Sequence, residues 1–430
     1  MKVHFTTLGC KLNHSETERL AREFVRAGHQ VVTSPQEADL CVVNSCAVTR
    51  SAARRSRRAA RRPRRLNPRV VTVLTGCYAE VAPEAARRIE GIGLVVGNRD
   101  KERLLEILAD RGYEAEPPAP YPLPPAPYPL TPIHTRAFVK IQDGCNMSCT
   151  FCIIPLARGR ERSRPSSQIV AEIRDLVAAG HQEIVLTGVQ LSAYGRDKSH
   201  GARTSLRDLV AQILDQTDVS RLRLSSLAPW TLDAELLALW RDPRLCRHLH
   251  LSLQSGSDGT LRRMRRPYTT ARYARAVAMA REMIPGVAIT TDIIVGFPGE
   301  TEAEFEESLR FVEEMAFARL HVFRYSPRPG TEAASLPHQV PHQVKQVRSQ
   351  AMIALGRQSA RRFHRRHLGQ QLDVLWETQR GDHWSGFTDN YIPVTTQSAA
   401  DVANTITPVK LAGLTEEGMW GQIVTAQRSI

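Results

Sequence analysis

This chain of 430 residues has no long apolar run, and its N-terminus has no basic start followed by an apolar segment. The first absence argues against a membrane-spanning helix, which needs about 20 consecutive apolar residues. The second argues against a secretory signal of the usual pattern, so we expect a soluble, cytoplasmic protein. No Ser/His/Asp grouping and no pair of carboxylates stands out, so the sequence offers no support for hydrolytic catalysis.

Acidic residues are outnumbered by basic ones, 44 against 58, which gives a formal net charge of +14. Such a protein often binds a polyanion, most often a nucleic acid, although solvated surface charge in an arginine-rich composition gives the same total. The shortage of acid is most marked in residues 50–69, where many arginines have no acidic neighbour. The residues that we expect to contact RNA are Arg54, Arg57, Arg58, Arg61 and Arg62, together with Arg361, Arg362 and Arg365 near the C-terminal region.

Eight cysteines in such a chain favour a metal site or catalysis over disulfides. Three of them, Cys145, Cys149 and Cys152, lie within ten residues. Their spacing allows three thiolates to hold a four-iron cluster and to leave one iron without a protein ligand. An open iron of this kind can bind the amino acid end of S-adenosylmethionine. Zinc is the alternative, but it needs a fourth ligand, and neither His134 nor His181 completes the usual pattern.

The chain reads as an α/β protein in three parts. Residues 1–112 alternate short β-branched runs with helical segments, which predicts a doubly wound parallel sheet. Residues 113–132 are rich in proline and predict a linker. Six strand candidates with intervening helices in residues 133–363 predict a partial (β/α)6 barrel. Five short strand-like runs in residues 364–430, the second of them at residues 386–391, predict a small, OB-like β-barrel, a fold that commonly binds oligonucleotides.

Three further cysteines, Cys10, Cys46 and Cys77, each follow a predicted strand of the N-terminal sheet. Ligand sites in open α/β sheets lie at the carboxyl ends of strands, so these thiols can converge on a second cluster. The alternative is that they are ordinary buried cysteines, which pack as small hydrophobic side chains. Cys41 and Cys246, inside apolar runs, are expected to be of that kind.

The segment around Cys145, with Phe151 just before the third cysteine, resembles the radical S-adenosylmethionine superfamily. Together with Gly9-Cys-Lys-Leu-Asn13, Thr75-Gly-Cys-Tyr78 and Tyr325-Ser-Pro-Arg-Pro-Gly-Thr331, it resembles the methylthiotransferases over essentially the whole chain. That resemblance implies an N-terminal methylthiotransferase domain, a radical S-adenosylmethionine core and a C-terminal TRAM RNA-binding domain. It also implies two 4Fe-4S clusters, one on each cysteine triad. The residues it implies for S-adenosylmethionine binding lie at barrel strand ends: Thr187, Gly188, Ser225, Ser226, Asp292 and Gly296.

Three branches of this family act on isopentenyladenosine in tRNA, on threonylcarbamoyladenosine at tRNA position 37, and on an Asp of a ribosomal protein. The segments 138–145 and 157–162 are most similar to the threonylcarbamoyladenosine branch. Resemblance to that branch implies that two S-adenosylmethionine molecules are used per turnover. One methylates sulfur carried at the auxiliary cluster, and the other yields a 5′-deoxyadenosyl radical that takes hydrogen from adenosine C2.

The implied partner is the anticodon stem-loop of tRNA, with an electron donor such as flavodoxin or ferredoxin and a sulfur donor that the sequence does not identify. We expect the chain to act as a monomer. A non-catalytic iron–sulfur scaffold that binds RNA is the alternative outside enzymes. Two triads that each leave an iron open argue against it, because a scaffold has no need of an open iron.

Overall fold

The computed structural model describes residues 1–113, 135–197 and 204–424, which divide into two units. Of these residues, the first unit combines 1–113 with 142–162 and 326–334, and the second unit holds the others. The expected proline-rich linker, apart from Tyr113, lies outside the described residues. These units differ from the three expected domains, whose bounds stay a prediction. No helix in the described ranges is long and apolar enough to cross a membrane.

A parallel sheet of five strands, in the order β2-β1-β3-β4-β5, forms the centre of the first unit. The strands are β1 (Lys2–Thr7), β2 (Gln30–Val31), β3 (Leu40–Ser45), β4 (Val71–Gly76) and β5 (Ile92–Val96). Alternate residues of the central strands enter different cores: Val42 and Val73 join one, and Val43 and Leu74 join the other. A sheet buried on both faces in this way is doubly wound, as predicted.

Helices cover both faces of this sheet. They are α1 (Lys11–Arg26), α2 (Arg50–Leu66), α3 (Cys77–Val81), α4 (Pro83–Arg87) and α5 (Leu104–Ala109), with α6 (Ile154–Arg158) in the later segment of the unit. The arginine-rich helix α2 forms because Thr49 caps its first turn, accepting a hydrogen bond from the Ala52 N–H. Its small residues Ala53 and Ala60 are buried, whereas most of its arginines face solvent.

The second unit begins with an arc of parallel strands. They are β6 (Arg136–Lys140), β7 (Glu183–Thr187), β8 (Arg221–Leu224), β9 (Ser226–Leu227), β10 (His248–Leu251), β11 (Ala288–Val295) and β12 (Arg319–Arg324). They form two groups, in the orders β8-β7-β6 and β9-β10-β11-β12, and the break between the groups falls at Ser225. Counting β8 and β9 as one interrupted strand gives the six strands of the predicted partial barrel.

Helices connect the strands of the arc. They are α7 (Ser166–Ala178), α8 (Leu206–Gln216), α9 (Ala234–Leu237), α10 (Asp258–Arg263), α11 (Thr270–Met283), α12 (Glu302–Met315) and the long α13 (His342–Arg365). Thr301 and Glu304 form a capping box at the start of α12. Leucine, isoleucine and valine side chains from these helices and from the strands share one buried core.

The C-terminal part of the second unit is a closed barrel in the order β13-β14-β15-β17-β16, which confirms the predicted small β-barrel. Its strands are β13 (Gln371–Arg380), β14 (His383–Thr388), β15 (Pro393–Gln397), β16 (Ile406–Leu414) and β17 (Met419–Ile423). The second strand was expected at residues 386–391, and that placement is wrong. Tyr391 has a positive φ of 68° and lies in the turn that follows β14.

Candidate iron–sulfur and cofactor site

The first cysteine triad lies at the carboxyl ends of three adjacent strands of the first unit. Cys10 caps helix α1 after β1, Cys46 follows β3, and Cys77 begins helix α3 after β4. Burial, with a smaller contribution from the nearby Cys77 and Cys10 thiols, raises the pKa of the Cys46 thiol to about 11. The structure therefore brings together three thiols that are far apart in the sequence.

Close backbone approach makes this convergence possible. Gly9 has a φ of +110°, and a Cβ on it would lie 3.0 Å from the Cys46 sulfur. Gly76 has a φ of +92°, and its missing Cβ leaves room for the backbone of Ser45. Both positions require glycine, because a side chain would strain the backbone and push the strand ends apart.

The second triad lies in the loop of residues 142–162, also in the first unit. Cys145, Cys149 and Cys152 are each half-buried, and the Met147 N–H lies 3.4 Å from the Cys145 sulfur. Gly144 precedes the first of them with a φ of +70°, and a Cβ there would collide with the backbone carbonyl of Arg160. The Cys145 N–H donates to the Gly159 carbonyl at 3.0 Å, and the Cys152 N–H donates to the Cys149 carbonyl at 3.1 Å, so the loop folds back on itself around the triad.

A buried ion network joins the two cysteine-bearing regions within the first unit. Arg158, whose side chain is 1% exposed, donates to Glu16 at 2.8 Å and Asp143 at 2.9 Å, and to Asn13 at 2.6 Å. Lys101 donates to Glu16 at 2.6 Å. Two cations thus meet two carboxylates, and the ions link the start of helix α1 to the residues just before Cys145.

Both triads suit a 4Fe-4S cluster by the chemistry of their donors. No disulfide joins any of the eight cysteines, all of which lie in described ranges. Each triad supplies three sulfurs, and the interaction of Arg158 with Cys77 places a cation near the first triad. Cys41 and Cys246 are 1% exposed, which confirms their expected place in the core.

The second unit contains the residues expected to bind S-adenosylmethionine. Asp292 on β11 accepts hydrogen bonds from two histidines at 3.2 Å each, His250 on β10 and His321 on β12. Burial alone would raise the pKa of Asp292, but these hydrogen bonds outweigh burial and hold that pKa below its usual range. Asp292 is therefore a carboxylate at neutral pH.

The polar chain continues down the same strands, because Thr290 Oγ1 lies 3.0 Å from both His250 Nδ1 and His248 Nε2. Since His250 Nε2–H donates to Asp292, a neutral His250 must accept the Thr290 hydroxyl proton at Nδ1. His248 then donates to Thr290. At the other end of the chain, the His321 side chain is 43% exposed.

The remaining predicted cofactor residues also lie at strand ends. Thr187 and Ser225 are buried, and the Ser225 hydroxyl has no hydrogen-bond partner among the described residues. Gly188 and Ser226 are half-buried. At Gly296 (φ +71°) a Cβ would collide with the Lys345 side chain. The backbone N–H of Gly296 donates to Glu300 at 2.6 Å, so this glycine also serves the turn before α12.

The arginines expected to bind RNA occupy two helices. On α2 the guanidinium of Arg57 lies 5.6 Å from the Tyr78 ring, and the other predicted arginines there are exposed: Arg54, Arg58, Arg61 and Arg62. On α13, Arg361 and Arg365 are exposed, and Arg362 forms an exposed ion pair with Glu313 at 3.2 Å. The sequence did not single out Arg158, His250 or His321, although Arg158 lies inside one of the conspicuous motifs.

Comparison with known proteins decides the family. A model of the radical SAM superfamily matches residues 139–312, and a model described as uncharacterized protein family UPF0004 matches residues 2–97. The chain is 38% identical over 423 residues to the threonylcarbamoyladenosine tRNA methylthiotransferase MtaB of Bacillus subtilis, covering 95% of this chain and 93% of that protein. The chain belongs to the radical SAM methylthiotransferase family. This confirms the resemblance found in the sequence.

Other methylthiotransferases are similar over comparable lengths. Identity is 36% with the MtaB of Aquifex aeolicus, over 94% of this chain and 99% of that protein. It is 32% with the tRNA-2-methylthio-N(6)-dimethylallyladenosine synthase of Akkermansia muciniphila, over 98% of each. Among solved structures, the radical S-adenosylmethionine methyltransferase TsrM from Kitasatospora setae has a TM-score of 0.58 at 16% identity and covers 77% of each chain. This last likeness shows a shared fold.

Proposed function

We propose that this methylthiotransferase adds a methylthio group to C2 of N6-threonylcarbamoyladenosine at position 37 of tRNA. The observation that carries the proposal is the near full-length similarity, at 36–38% identity, to enzymes named for that substrate. The 32% identity to a dimethylallyladenosine synthase makes isopentenyladenosine the second candidate substrate. A ribosomal-protein substrate would be the third.

In this proposal Cys145, Cys149 and Cys152 hold the cluster at which S-adenosylmethionine is cleaved, and the triad of the N-terminal sheet holds an auxiliary cluster. When bound, these groups supply radical cleavage of one S-adenosylmethionine and transfer of a methylated sulfur, with two S-adenosylmethionine molecules used per turnover. The protein's own task is to position its ligands and to exclude water. Asp292 is a carboxylate held in place by His250 and His321, which suits it to accept hydrogen bonds from the cofactor.

The partner in this proposal is the anticodon stem-loop of tRNA. A target base must leave its stack to reach an enzyme interior, and an unpaired loop nucleotide makes this less costly. The C-terminal barrel would serve as a TRAM RNA-binding domain, and the exposed arginines of α2 and α13 would bind phosphates. We also propose a monomer in the cytoplasm, a flavodoxin or ferredoxin as the electron donor, and a separate sulfur donor.

The first test is mass spectrometry of tRNA nucleosides from a strain lacking this gene, beside its parent. We expect 2-methylthio-N6-threonylcarbamoyladenosine to disappear and its unthiolated precursor to accumulate. Loss of the isopentenyl counterpart instead would transfer the proposal to the second substrate. If neither nucleoside changed, a tRNA substrate would be excluded, and the ribosomal protein would be the next to examine.

A second test assigns the cluster ligands. Wild-type protein reconstituted with iron and sulfide should hold about eight irons per chain, and the Cys77→Ala and Cys145→Ala variants about four each. Cys41→Ala is the matched control, because Cys41 is equally buried but belongs to an apolar core. Electron paramagnetic resonance of the reduced proteins should then show a different cluster in each variant. Full iron content in Cys77→Ala would contradict the auxiliary site.

A further inference from the structure

A cavity of about 660 Å³ opens in the first unit beside both cysteine-bearing regions. Its lining includes Tyr78, which follows Cys77, and Ile153, which follows Cys152. The charged side chains of the lining are all cationic: Arg50, Arg54, Arg57 and Arg328. The volume lies within the range of sites that hold small ligands, and a wall with four arginines and no carboxylate selects for an anion.

Arg328 is the unusual member of this wall. It is 7% exposed, yet its guanidinium makes no hydrogen bond or ion pair with the described residues, and its Nε is wholly buried. Burial lowers the pKa of Arg328, and the neighbouring Arg50 and Arg57 lower it further. A buried cation without a partner destabilises a protein. The protein keeps one here, with Arg50 and Arg57 beside it and the Cys46 thiol acting in the opposite sense, so a bound anion would supply the missing counter-charge.

The neighbours of Arg328 hold it in place. Its segment, residues 326–334, is fixed to the second cysteine loop by a hydrogen bond from the Ala333 N–H to the Thr150 carbonyl at 2.8 Å. At its other end, the Arg50 N–H donates to the Ser326 hydroxyl at 3.4 Å. The segment that carries Arg328 is therefore attached at one end to the cysteine loop and at the other to the start of helix α2, so its backbone is held in place without a ligand.

We propose that this cavity, here called the arginine cavity, binds one backbone phosphate of the substrate RNA next to the target nucleotide. Guanidinium groups bind phosphate oxygens through paired N–H donors. Arg54 connects the arginine cavity to the exposed arginines of α2, so a bound phosphate would belong to a strand that continues along a basic surface. The inference rests on the proposed tRNA substrate and assigns its backbone a place within the first unit.

The test measures binding of an anticodon stem-loop to the full-length protein with its clusters reconstituted. Arg328→Gln should weaken binding by about tenfold and reduce the dependence of log affinity on log salt by about one. Arg310→Gln, which removes the same charge from an exposed position on α12, should change affinity by less than about twofold. Equal affinity for wild type and Arg328→Gln would overturn the proposal.

Stem-loops carrying a single neutral methylphosphonate linkage identify the phosphate. At one position in the stem-loop, the methylphosphonate should weaken wild-type binding by about tenfold. The same methylphosphonate should leave Arg328→Gln binding unchanged, because that variant has already lost the contact with this phosphate. Additive losses at every linkage would overturn the proposal. Arg54→Gln, at an exposed part of the lining, repeats the measurement without altering a buried group.

Thermal unfolding without RNA separates this role from a structural one. Removing an unpaired buried cation should raise the unfolding temperature, whereas removing a structural contact should lower it. If Arg328→Gln instead lost iron and kept its RNA affinity, the counter-charge would be the auxiliary cluster and the proposal would be wrong. Formation of the methylthiolated nucleoside is measured separately. If the wild-type protein binds the stem-loop, with Arg328 and one phosphate coupled as above, but makes no product, only the proposed function is contradicted.

Discussion

Replacing Arg158 with methionine should loosen both cysteine-bearing regions of the first unit at once. Methionine retains much of the side-chain bulk but removes the guanidinium that donates to the Glu16 and Asp143 carboxylates. The buried network then has one positive charge fewer, with Lys101 still paired to Glu16. Breaking a buried ion pair from one side costs about 3–5 kcal/mol, a large part of the stability of an ordinary domain.

Hydrogen exchange followed by mass spectrometry measures this loss where it occurs. A local cost of about 3 kcal/mol speeds exchange of the protected amides by about a hundredfold, since each 1.4 kcal/mol is a factor of ten. The increase should appear in peptides covering α1 and β3. Peptides from the core of the second unit serve as the internal control.

A double variant checks that charge is the cause. Adding Asp143→Asn to Arg158→Met removes the carboxylate that has lost its ion pair with Arg158 and leaves Glu16 paired with Lys101 at 2.6 Å. Exchange in α1 should then slow again toward the wild-type rate. If Arg158→Met exchanged within about threefold of wild type, or if the double variant exchanged faster than the single one, the ion network would not be what holds these elements together.

Three further outcomes are expected. Gly144→Ala should abolish iron binding at the second triad, because the added Cβ would collide with a backbone carbonyl. Gly159→Ala is the control: its φ is similar but its Cβ would meet open space, so it should lower the free energy of unfolding by only about 1–3 kcal/mol. Iron content and urea unfolding are measured for both variants. Burial, then a neighbouring histidine and arginine, lower the pKa of His364 to about 4. Protonation therefore favours the unfolded state, in which the pKa of this histidine is near 6.5, and up to about 3 kcal/mol of stability should be lost as pH falls from 6.5 toward 4. Tryptophan fluorescence during urea unfolding should show a larger loss in wild type than in His364→Gln. Arg223→Met, which breaks a fully buried ion pair, should lower the unfolding temperature far more than Arg362→Gln, which breaks an exposed one, and similar shifts would contradict this reasoning.

The first cysteine triad could be predicted from the sequence because the order of strands and helices determines which strand ends lie side by side. Cys10, Cys46 and Cys77 follow strands that lie side by side in a parallel sheet, and the ends of such strands meet whatever their separation along the chain. The capping box at Thr301 was equally accessible, because it depends on residues three apart. Local spacing and strand order are the parts of a fold that a single sequence exposes.

Contacts between distant side chains were not accessible in this way. Arg158 and Glu16 are 142 residues apart in the sequence, and no periodic pattern in the sequence predicts their ion pair. The start of β14 was missed for a related reason. Gly386 of β14 is buried, and a Cβ there would collide with the backbone of β13. Only glycine fits at this position, so the alternation of apolar side chains that marks a strand is interrupted where the packing is tightest.

The composition of the first unit from three separate stretches has a consequence for biosynthesis. Glu16 and Lys101 leave the ribosome long before Arg158, and the contact between Arg50 and Ser326 closes across 276 positions. The N-terminal sheet therefore cannot complete its native contacts while it is the only part translated. A fragment ending near residue 113 should be prone to aggregation, and nascent chains should gain protease resistance in this region only after about residue 334 has emerged.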